Sequence, residues 1–224
     1  MNELLFIASI IGVFTGVVLI NRLFGKAGLF AWVAFAPIMA NILTAKQVTI
    51  FGLDVTMGTI LFASIFLASD ILNENHGKKE ATKAAWIAFA SVCGYIIIAN
   101  ISLLYIPNAY DYSHESMANL FGTSMRISIV SALMFLLANL ADVAIYNLIR
   151  KKKEKALWLR NNVSTITSNC IENFLFITLA FYGQMPFADL MMIAFGTTVL
   201  EVITSVCDTP FLYFATRGKR KGIE

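Results

Sequence analysis

Charged residues are scarce in this chain of 224 residues. Asp, Glu, Lys and Arg make up 14% of it, against about 25% in soluble globular proteins. Cysteine and histidine are scarce as well, with three cysteines and two histidines, and no C-x-x-C pair occurs. These shortages exclude a disordered chain, a nucleic-acid-binding surface and a scaffold stabilised by disulfides.

Apolar residues take the place of the missing charge and amount to 58% of the chain. A soluble protein of this size has too little interior to bury so much apolar side chain, because surface area falls too slowly with size. The composition therefore predicts a membrane protein that crosses the bilayer several times. The N-terminus lacks the basic region and the cleavage site of a signal peptide, so the first apolar run is expected to remain as a helix.

Seven apolar segments are long enough, or nearly so, to cross a bilayer core about 30 Å thick. The loops between them are short, so we expect an all-α fold, a polytopic helical bundle with seven transmembrane helices. One transmembrane domain would then cover residues 1–224. The first segment is short, and six spans with a peripheral first helix is the alternative. The segments are Leu4 to Ile20, Ala27 to Ala45, Val55 to Leu72, Ala84 to Ile106, Asn119 to Ile149, Val163 to Phe181 and Phe187 to Ala215.

Basic residues alternate from loop to loop, and 15 of the 17 Lys and Arg residues fall on one side of the seven-span arrangement. The cytoplasmic loops of membrane proteins carry an excess of Lys and Arg over the loops on the other side. We therefore expect a cell (inner) membrane protein with its N-terminus outside and its C-terminus in the cytoplasm; six spans would place the N-terminus inside. The fifteen residues are Arg22, Lys26, Lys78, Lys79, Lys83, Arg150, Lys151, Lys152, Lys153, Lys155, Arg160, Arg217, Lys219, Arg220 and Lys221.

Polar side chains recur at steps of three and four residues along the sixth segment, so they share one face of a helix near the middle of the bilayer. An ionisable group at that depth is costly unless it faces protein or water. This face suits a small, flat ligand rich in N–H groups. The alternative is a clamp between helices, in which Arg126 neutralises Glu172. The face comprises Thr165, Ser168, Asn169, Glu172, Asn173 and Phe176.

Other segments also carry polar groups at membrane depth. The seventh segment contains Glu201 and Asp208, and the fifth contains Asp142. These carboxylates either bind a coupling proton or sodium ion, or are protonated and structural, and the sequence leaves both readings open. Pro37 and Asn41 interrupt the second segment, where a freed backbone carbonyl would line a cavity or mark a simple kink.

Catalytic and cofactor-binding motifs are missing from the sequence. No G-x-S-x-G, H-E-x-x-H or phosphate-binding glycine loop occurs. The two histidines, His76 and His114, are expected on opposite sides of the membrane, so they cannot share a metal site. We therefore expect no enzymatic activity, no cofactor, no metal site and no hydrolysis of ATP by the chain itself.

Three stretches resemble one family of transporters. Ser69 to Gly77 reads S-D-I-L-N-E-N-H-G, similar to the motif S-D-x-x-x-E-x-x-G-x-x-x-A at the cytoplasmic end of a helix. Leu157 to Thr165 reads L-W-L-R-N-N-V-S-T, similar to the segment just before the family's polar helix, and Ser168 to Asn173, S-N-C-I-E-N, is similar to that helix itself. Over about Asn41 to Phe214, the chain resembles the queuosine-precursor transporters, also called the vitamin-uptake-like (VUT) family.

The resemblance implies import of 7-deazaguanines (preQ0, preQ1 or queuine) for tRNA modification. It also implies that Glu172, where the family more often has Asp, accepts two adjacent N–H donors of the ligand, while Phe176, Phe174 or Phe66 stacks on it. The expected substrate-binding residues are Glu172, Asn169, Asn173, Phe176, Asn41, Asp142 and Glu201. The expected gating or structural residues are Asp70, Glu74, Arg126 and Asp208.

Three functions remain open at this point. They are an importer that works without ATP, a substrate-binding membrane subunit of an ATP-driven vitamin-type importer, and a membrane scaffold whose buried charges only hold helices together. Expected partners are a purine-like small molecule, the lipid bilayer and a coupling proton or sodium ion, with no nucleic acid. Gly12 and Gly16 form a small-xxx-small pair, which leaves a homodimer open as well.

Overall fold

The computed structural model of the protein describes residues 1–122, 125–184 and 186–217. The predicted basic residues Lys219, Arg220 and Lys221 therefore lie outside the described residues. The elements, in chain order, are α1 (Asn2–Thr44), β1 (Gln47–Ile50), β2 (Leu53–Thr56), α2 (Thr59–His76), α3 (Lys78–Ser102), α4 (His114–Phe121), α5 (Met125–Lys152), α6 (Leu157–Phe181) and α7 (Phe187–Thr216).

Helix α1 is broken into two rods at Gly25. This residue has φ 56° and ψ −137°, a conformation that glycine adopts without steric penalty. Gly28 then lies so close to the first rod that a Cβ there would come within 2.6 Å of the Ile20 side chain. The rods, residues 2–24 and 26–44, are about 35 and 29 Å long at 1.5 Å per residue. Each is therefore long enough to cross a bilayer core.

The turns of the bundle lie at two ends. At one end, Lys26 beside the α1 break forms a 3.2 Å salt bridge with Glu80 at the start of α3. At the other end, the Asn2 side chain donates to the carbonyl oxygen of Thr49 at 3.3 Å, so the N-terminus lies beside β1. We call the first of these the basic end; it comprises residues 22–26, 77–83, 150–156 and 217. We call the second the hairpin end; it comprises residues 1–3, 45–58 and 103–121.

A β-hairpin follows α1 at the hairpin end. Strands β1 and β2 pair antiparallel, with Gln47 opposite Thr56 and Ile50 opposite Leu53. The sequence-based prediction placed a loop here and began the third segment at Val55, whereas α2 begins at Thr59. The run of β-branched residues on both sides of a two-residue turn explains the difference, because such residues favour strands over helices.

Four helices in the described part of the chain are long and apolar enough to cross a membrane, namely α1, α3, α5 and α7. Helices α2 and α6 have 18 and 25 residues and carry more polar side chains. In α2 these are buried, with residues 64–74 all enclosed by other helices, so they do not meet lipid. The expected all-α membrane bundle is confirmed, and its two most polar helices lie where protein surrounds their polar faces.

Several helix ends differ from the sequence-based segments. Gly77, with φ 86°, ends α2 and lets α3 begin at Lys78 instead of Ala84. The predicted fifth segment is divided between α4 and α5. Helix α6 begins at Leu157 rather than Val163, so the prediction that Arg160 is a loop residue is wrong: this side chain is 1% exposed inside the bundle.

Small side chains allow α3 to approach its neighbours closely. Ala81, Ala84 and Ala88 recur at steps of three and four residues and are at most 1% exposed, a spacing that forms one face of the helix. Gly12 and Gly16 lie on a different surface, where no described residue would come within 4 Å of an added Cβ. The homodimer stays a prediction.

Candidate functional site

A cavity of about 250 Å³ lies among α1, α2, α5, α6 and α7. It extends from Thr44 and Thr56 near the hairpin end to Thr165 and Asp208 nearer the basic end. Polar side chains of α6 and α7 form one wall and aromatic side chains of α2 and α5 the other. The residues of the predicted substrate set that line it are Asn41, Asn169, Glu172, Asn173, Phe176 and Glu201.

The polar wall contains hydrogen-bond acceptors that lack donors. Asn173 Nδ2 donates to Glu201 Oε2 at 2.7 Å and to Thr198 Oγ1 at 3.1 Å, which ties α6 to α7. Glu172 is half-buried and has no hydrogen bond or ion pair with the described residues. Asn169 Oδ1 is fully buried and also has no partner among them. Because buried polar groups are normally paired, this wall is suited to a ligand that donates.

The polar wall contains two acidic side chains, Glu172 and Glu201. Glu201 lies close enough to Glu172 for their carboxylates to interact electrostatically. No basic side chain lines the cavity among the described residues. A cation or a ligand rich in donors therefore fits this wall better than an anion does.

The aromatic wall provides flat apolar surfaces opposite the carboxylates. Phe66 of α2 is 4% exposed and lines the cavity, and Phe176 lines it from α6, one turn after Glu172. Phe62 and Phe135 line it too, with ring centroids 6.2 Å apart. Phe174, the other aromatic side chain suggested from the sequence, is 37% exposed on the outer surface. Of the three aromatic side chains suggested for stacking, Phe66 and Phe176 therefore line the cavity and Phe174 does not.

Two predicted residues have contacts that hold helices in place. Asn41 Nδ2 donates to the carbonyl of Pro37 at 2.7 Å, one turn back on α1, so its side-chain oxygen remains for the cavity. Arg126 donates to the carbonyl oxygens of Leu179, at 2.7 and 2.9 Å, and Tyr182, at 3.3 Å. These carbonyls form the end of α6, where a positive charge is favourable. Arg126 does not neutralise Glu172, which corrects the clamp considered from the sequence.

Asp142 does not line the cavity; it belongs to a group of three carboxyl groups below it, towards the basic end. Asp70 of α2, Asp142 of α5 and Asp208 of α7 are each at most 1% exposed. Thr165 donates to Asp142 at 3.1 Å, and Asn161 donates to Asp208 at 2.6 Å. We call Asp70, Asp142 and Asp208 the acid cluster.

Glu74 lies one turn further towards the basic end and forms a buried ion pair. Arg160 Nη2 donates to Glu74 Oε1 at 2.7 Å, and the Tyr146 hydroxyl donates to Glu74 Oε2 at 2.9 Å. Arg160 Nη1 donates to the carbonyl of Glu154 at 2.6 Å. The pair joins α2, α5 and α6 and closes the bundle between the acid cluster and the basic end.

Arg160 and Tyr146 are the residues of this region that the sequence-based prediction missed. A signal for Arg160 was present, because it lies one turn before Ser164 on α6 and so continues the polar face that contains Ser168. The prediction began the helix too late, at Val163 instead of Leu157, and counted Arg160 as a cytoplasmic charge. Tyr146 had no comparable signal, since a lone tyrosine in an apolar helix is common at membrane depth.

Comparisons with known proteins place this geometry in a family. The family model described as "Putative vitamin uptake transporter" matches residues 56–215, which include every cavity-lining helix except α1. A protein of Bacillus subtilis (strain 168) named "Probable queuosine precursor transporter" is 34% identical over 203 residues, 90% of this chain and 89% of that protein. A protein of Escherichia coli (strain K12) named "Queuosine precursor transporter" is 29% identical over 145 residues, 64% of this chain and 62% of that protein.

A further relative from Haemophilus influenzae (strain ATCC 51907 / DSM 11121 / KW20 / Rd), named "Probable queuosine precursor transporter", is 28% identical over 165 residues, 68% of this chain and 67% of that protein. No solved structure matches the chain. The family model covers more than two thirds of the chain, and the similarity to the Bacillus subtilis protein extends over almost all of it. The chain is a multi-pass membrane protein that belongs to the vitamin uptake (VUT) transporter family.

Proposed function

We propose that the protein imports 7-deazaguanine precursors of queuosine, such as preQ1, preQ0 or queuine, without hydrolysing ATP. The observation that carries the proposal is Glu172, a carboxyl group that has no partner among the described residues and lines a cavity together with Phe66 and Phe176. The names of the three relatives give the same substrate class. The chain has no Walker motif, so it does not hydrolyse ATP by itself, and import without a separate ATPase is part of the proposal.

The recognition follows from matched hydrogen bonds. The guanine-like edge of a 7-deazaguanine presents a ring N–H beside an exocyclic amine, and the two oxygens of Glu172 accept one hydrogen each. Asn169 reads the neighbouring carbonyl of the ligand through its amide N–H groups, while Phe66 and Phe176 stack on the ring. A ligand without this edge leaves buried polar groups unpaired, and such a site rejects it strongly.

The shape of the bundle supports entry from the hairpin end. The cavity extends towards that end, whereas the acid cluster and the Glu74–Arg160 pair close the path to the basic end. With the basic end in the cytoplasm, the described conformation is open to the outside. Asp70 and Glu74 then belong to the inner gate, which would separate when substrate is released.

We expect deazaguanines to stabilise the purified protein against heat. A ligand present at 100 times its dissociation constant adds about 2.7 kcal/mol to the stability of the folded state. A thermal-shift screen should therefore show higher unfolding temperatures with preQ1, preQ0 or queuine. Adenine is the control, because its amine lies beside a ring acceptor instead of a ring N–H. Equal shifts with adenine and preQ1, or no shift with any deazaguanine, would contradict the proposed recognition.

Proteoliposomes that contain this chain and no ATPase test the energy source. We expect labelled preQ1 to enter them, because one chain forms both the cavity and the inner gate. Liposomes without protein give the background. Uptake that appears only after an ATP-driven module is added would support the membrane-subunit alternative and contradict import by this chain alone.

The orientation is tested by cysteine labelling from outside intact cells. Lys152 at the basic end and Tyr110 at the hairpin end are both exposed, so each accepts a cysteine without disturbing packing. A membrane-impermeant maleimide should label Tyr110→Cys in intact cells and Lys152→Cys only after permeabilisation, since basic loops remain in the cytoplasm. The reverse pattern would invert the orientation. The background variant replaces the native Cys93, Cys170 and Cys207 by serine.

A further inference from the structure

We propose that the acid cluster, Asp70, Asp142 and Asp208, is a proton-binding site that couples import to the proton gradient. This inference rests on the proposed function for its transport role. The binding of a proton in the absence of substrate does not depend on that function. Asp70 would then take part in energy coupling as well as in closing the inner gate.

The first observation is that four of the six carboxyl oxygens of the cluster have no donor in the described part of the chain. Both oxygens of Asp70, Asp142 Oδ2 and Asp208 Oδ2 are buried and have no hydrogen-bond donor among the described residues. Asp142 is the side chain within hydrogen-bonding reach of Asp70. Two carboxyl groups in such contact are stable when they share a proton, because the protonated one donates to the other.

The second observation is the lack of a compensating positive charge. Asp70 faces Asp142 and Tyr146 of α5, Asp208 of α7 and Glu74 of its own helix. Arg160 of α6 is also buried in this region, but its salt bridge is with Glu74. Among the described residues, no Lys, Arg or His forms a salt bridge with the cluster. Three buried carboxylates of like charge therefore cannot all be ionised together.

The third observation distinguishes a proton from a metal ion. In residues 1–122, 125–184 and 186–217, no group of three or more His, Cys, Asp or Glu side chains converges on a point that could hold a metal. Hard divalent cations need about six or more oxygens around one centre, whereas a proton needs only two oxygens in contact. The paired carboxyls of Asp70 and Asp142 satisfy the second requirement.

The cluster is also connected to the substrate cavity. Asp208 lines the cavity, and so does Thr165, which donates to Asp142. Ser205, one turn before Asp208, lines it too; its hydroxyl is buried and has no partner among the described residues. A proton can thus reach the cluster from the cavity through polar groups, and substrate in the cavity covers that route. Binding of substrate and of proton is then linked, as coupling requires.

Transport into proteoliposomes tests the coupling. With the membrane potential clamped at zero and the outside one pH unit more acidic, one proton per substrate permits about tenfold accumulation of preQ1. We expect wild type to approach this ratio and Asp70→Asn to reach no more than the external concentration, while still exchanging labelled for unlabelled preQ1. Asp189→Asn, which removes the same charge at an exposed position of α7, should accumulate like wild type.

Two results would overturn the coupling role. One is accumulation by Asp70→Asn equal to that of wild type, and the other is accumulation that follows a sodium gradient and ignores the pH gradient. Size-exclusion chromatography checks folding, and Asp142→Asn replaces Asp70→Asn if the latter aggregates. Loss of accumulation together with loss of exchange in both folded variants would also contradict the proposal, since it would make these residues part of general transport.

Infrared spectroscopy without substrate tests the proton itself. The difference between wild type and Asp70→Asn at neutral pH should contain the C=O stretch of a protonated carboxyl group, and the Asp189→Asn difference should lack it. A missing band in the Asp70→Asn difference overturns the proton site whatever the transport result. A band that is present, in a protein that binds no deazaguanine, would instead refute the proposed substrate and leave the proton site intact.

Discussion

Replacement of Glu172 by Gln should weaken preQ1 binding at least about thirtyfold. The substitution keeps the size and shape of the side chain but replaces one acceptor oxygen by an N–H donor, which would face an N–H of the ligand. Loss of a charge-assisted hydrogen bond together with an unpaired group costs on the order of 2–4 kcal/mol, and each 1.4 kcal/mol is about tenfold in affinity. Glu172 has no partner among the described residues, so its removal should break no internal contact.

Isothermal titration calorimetry with preQ1 measures this effect. The matched control is Glu115→Gln, which makes the same chemical change at an exposed position of α4 and should bind like wild type. The folded state of Glu172→Gln should be at least as stable as that of wild type, because a neutral amide is less costly in the membrane than a carboxylate. Unchanged affinity in Glu172→Gln would show that Glu172 is structural and would remove the main contact of the proposed site.

The polar wall could be predicted from the sequence, because helical spacing alone puts its α6 residues on one face of the helix. Asn169, Glu172 and Asn173 are separated by three residues and one residue, and any helix through them presents them to one side. The structure adds the partner, since the contact between Asn173 and Glu201 depends on how α6 packs against α7. Sequence spacing contains no information on which helices are neighbours.

The role of Asp142 and the buried position of Arg160 could not be predicted either, because both depend on which helices are neighbours. Asp142 was expected beside the ligand, yet its neighbour is Asp70 of a helix that is distant in sequence. Arg160 was expected in water because it follows a run of basic loop residues. Its contact with Glu74 spans 86 positions of the chain, and only the packed bundle brings the two together.

The hairpin shows a different kind of failure. The sequence-based prediction placed a loop over residues 46–54 and began a membrane segment at Val55, inside what is strand β2. The position of the β-branched residues Val48 to Ile50 between two helix ends, with Gly52 in the turn, favours a strand pair. The fold class was unaffected, because this pair is short and lies outside the helices that form the cavity.

Replacement of Arg160 by Met should destabilise the protein by about 3–5 kcal/mol, because removal of one partner of a buried ion pair leaves the other charge unpaired. The side chains of Arg160 and Glu74 are 1% and 6% exposed, so water cannot replace the lost contact. Methionine is similar in length and apolar, which limits any cavity. Thermal unfolding in detergent, followed by loss of the monodisperse peak, measures the change.

Lys26→Met provides the matched control for this substitution. Lys26 pairs with Glu80 at 3.2 Å, but the two side chains are 46% and 23% exposed, and such pairs contribute about 0–1 kcal/mol. If an unpaired buried charge is the cause, the double variant Glu74→Leu and Arg160→Met should be more stable than Arg160→Met alone, since both charges are then gone. Equal losses of stability in Lys26→Met and Arg160→Met would contradict the large contribution expected from the buried pair. The alternative result is a loss of stability in the double variant equal to the sum of the losses in Glu74→Leu and Arg160→Met. That result would show that Glu74 and Arg160 act independently, and that packing around Tyr146 closes the basic end instead.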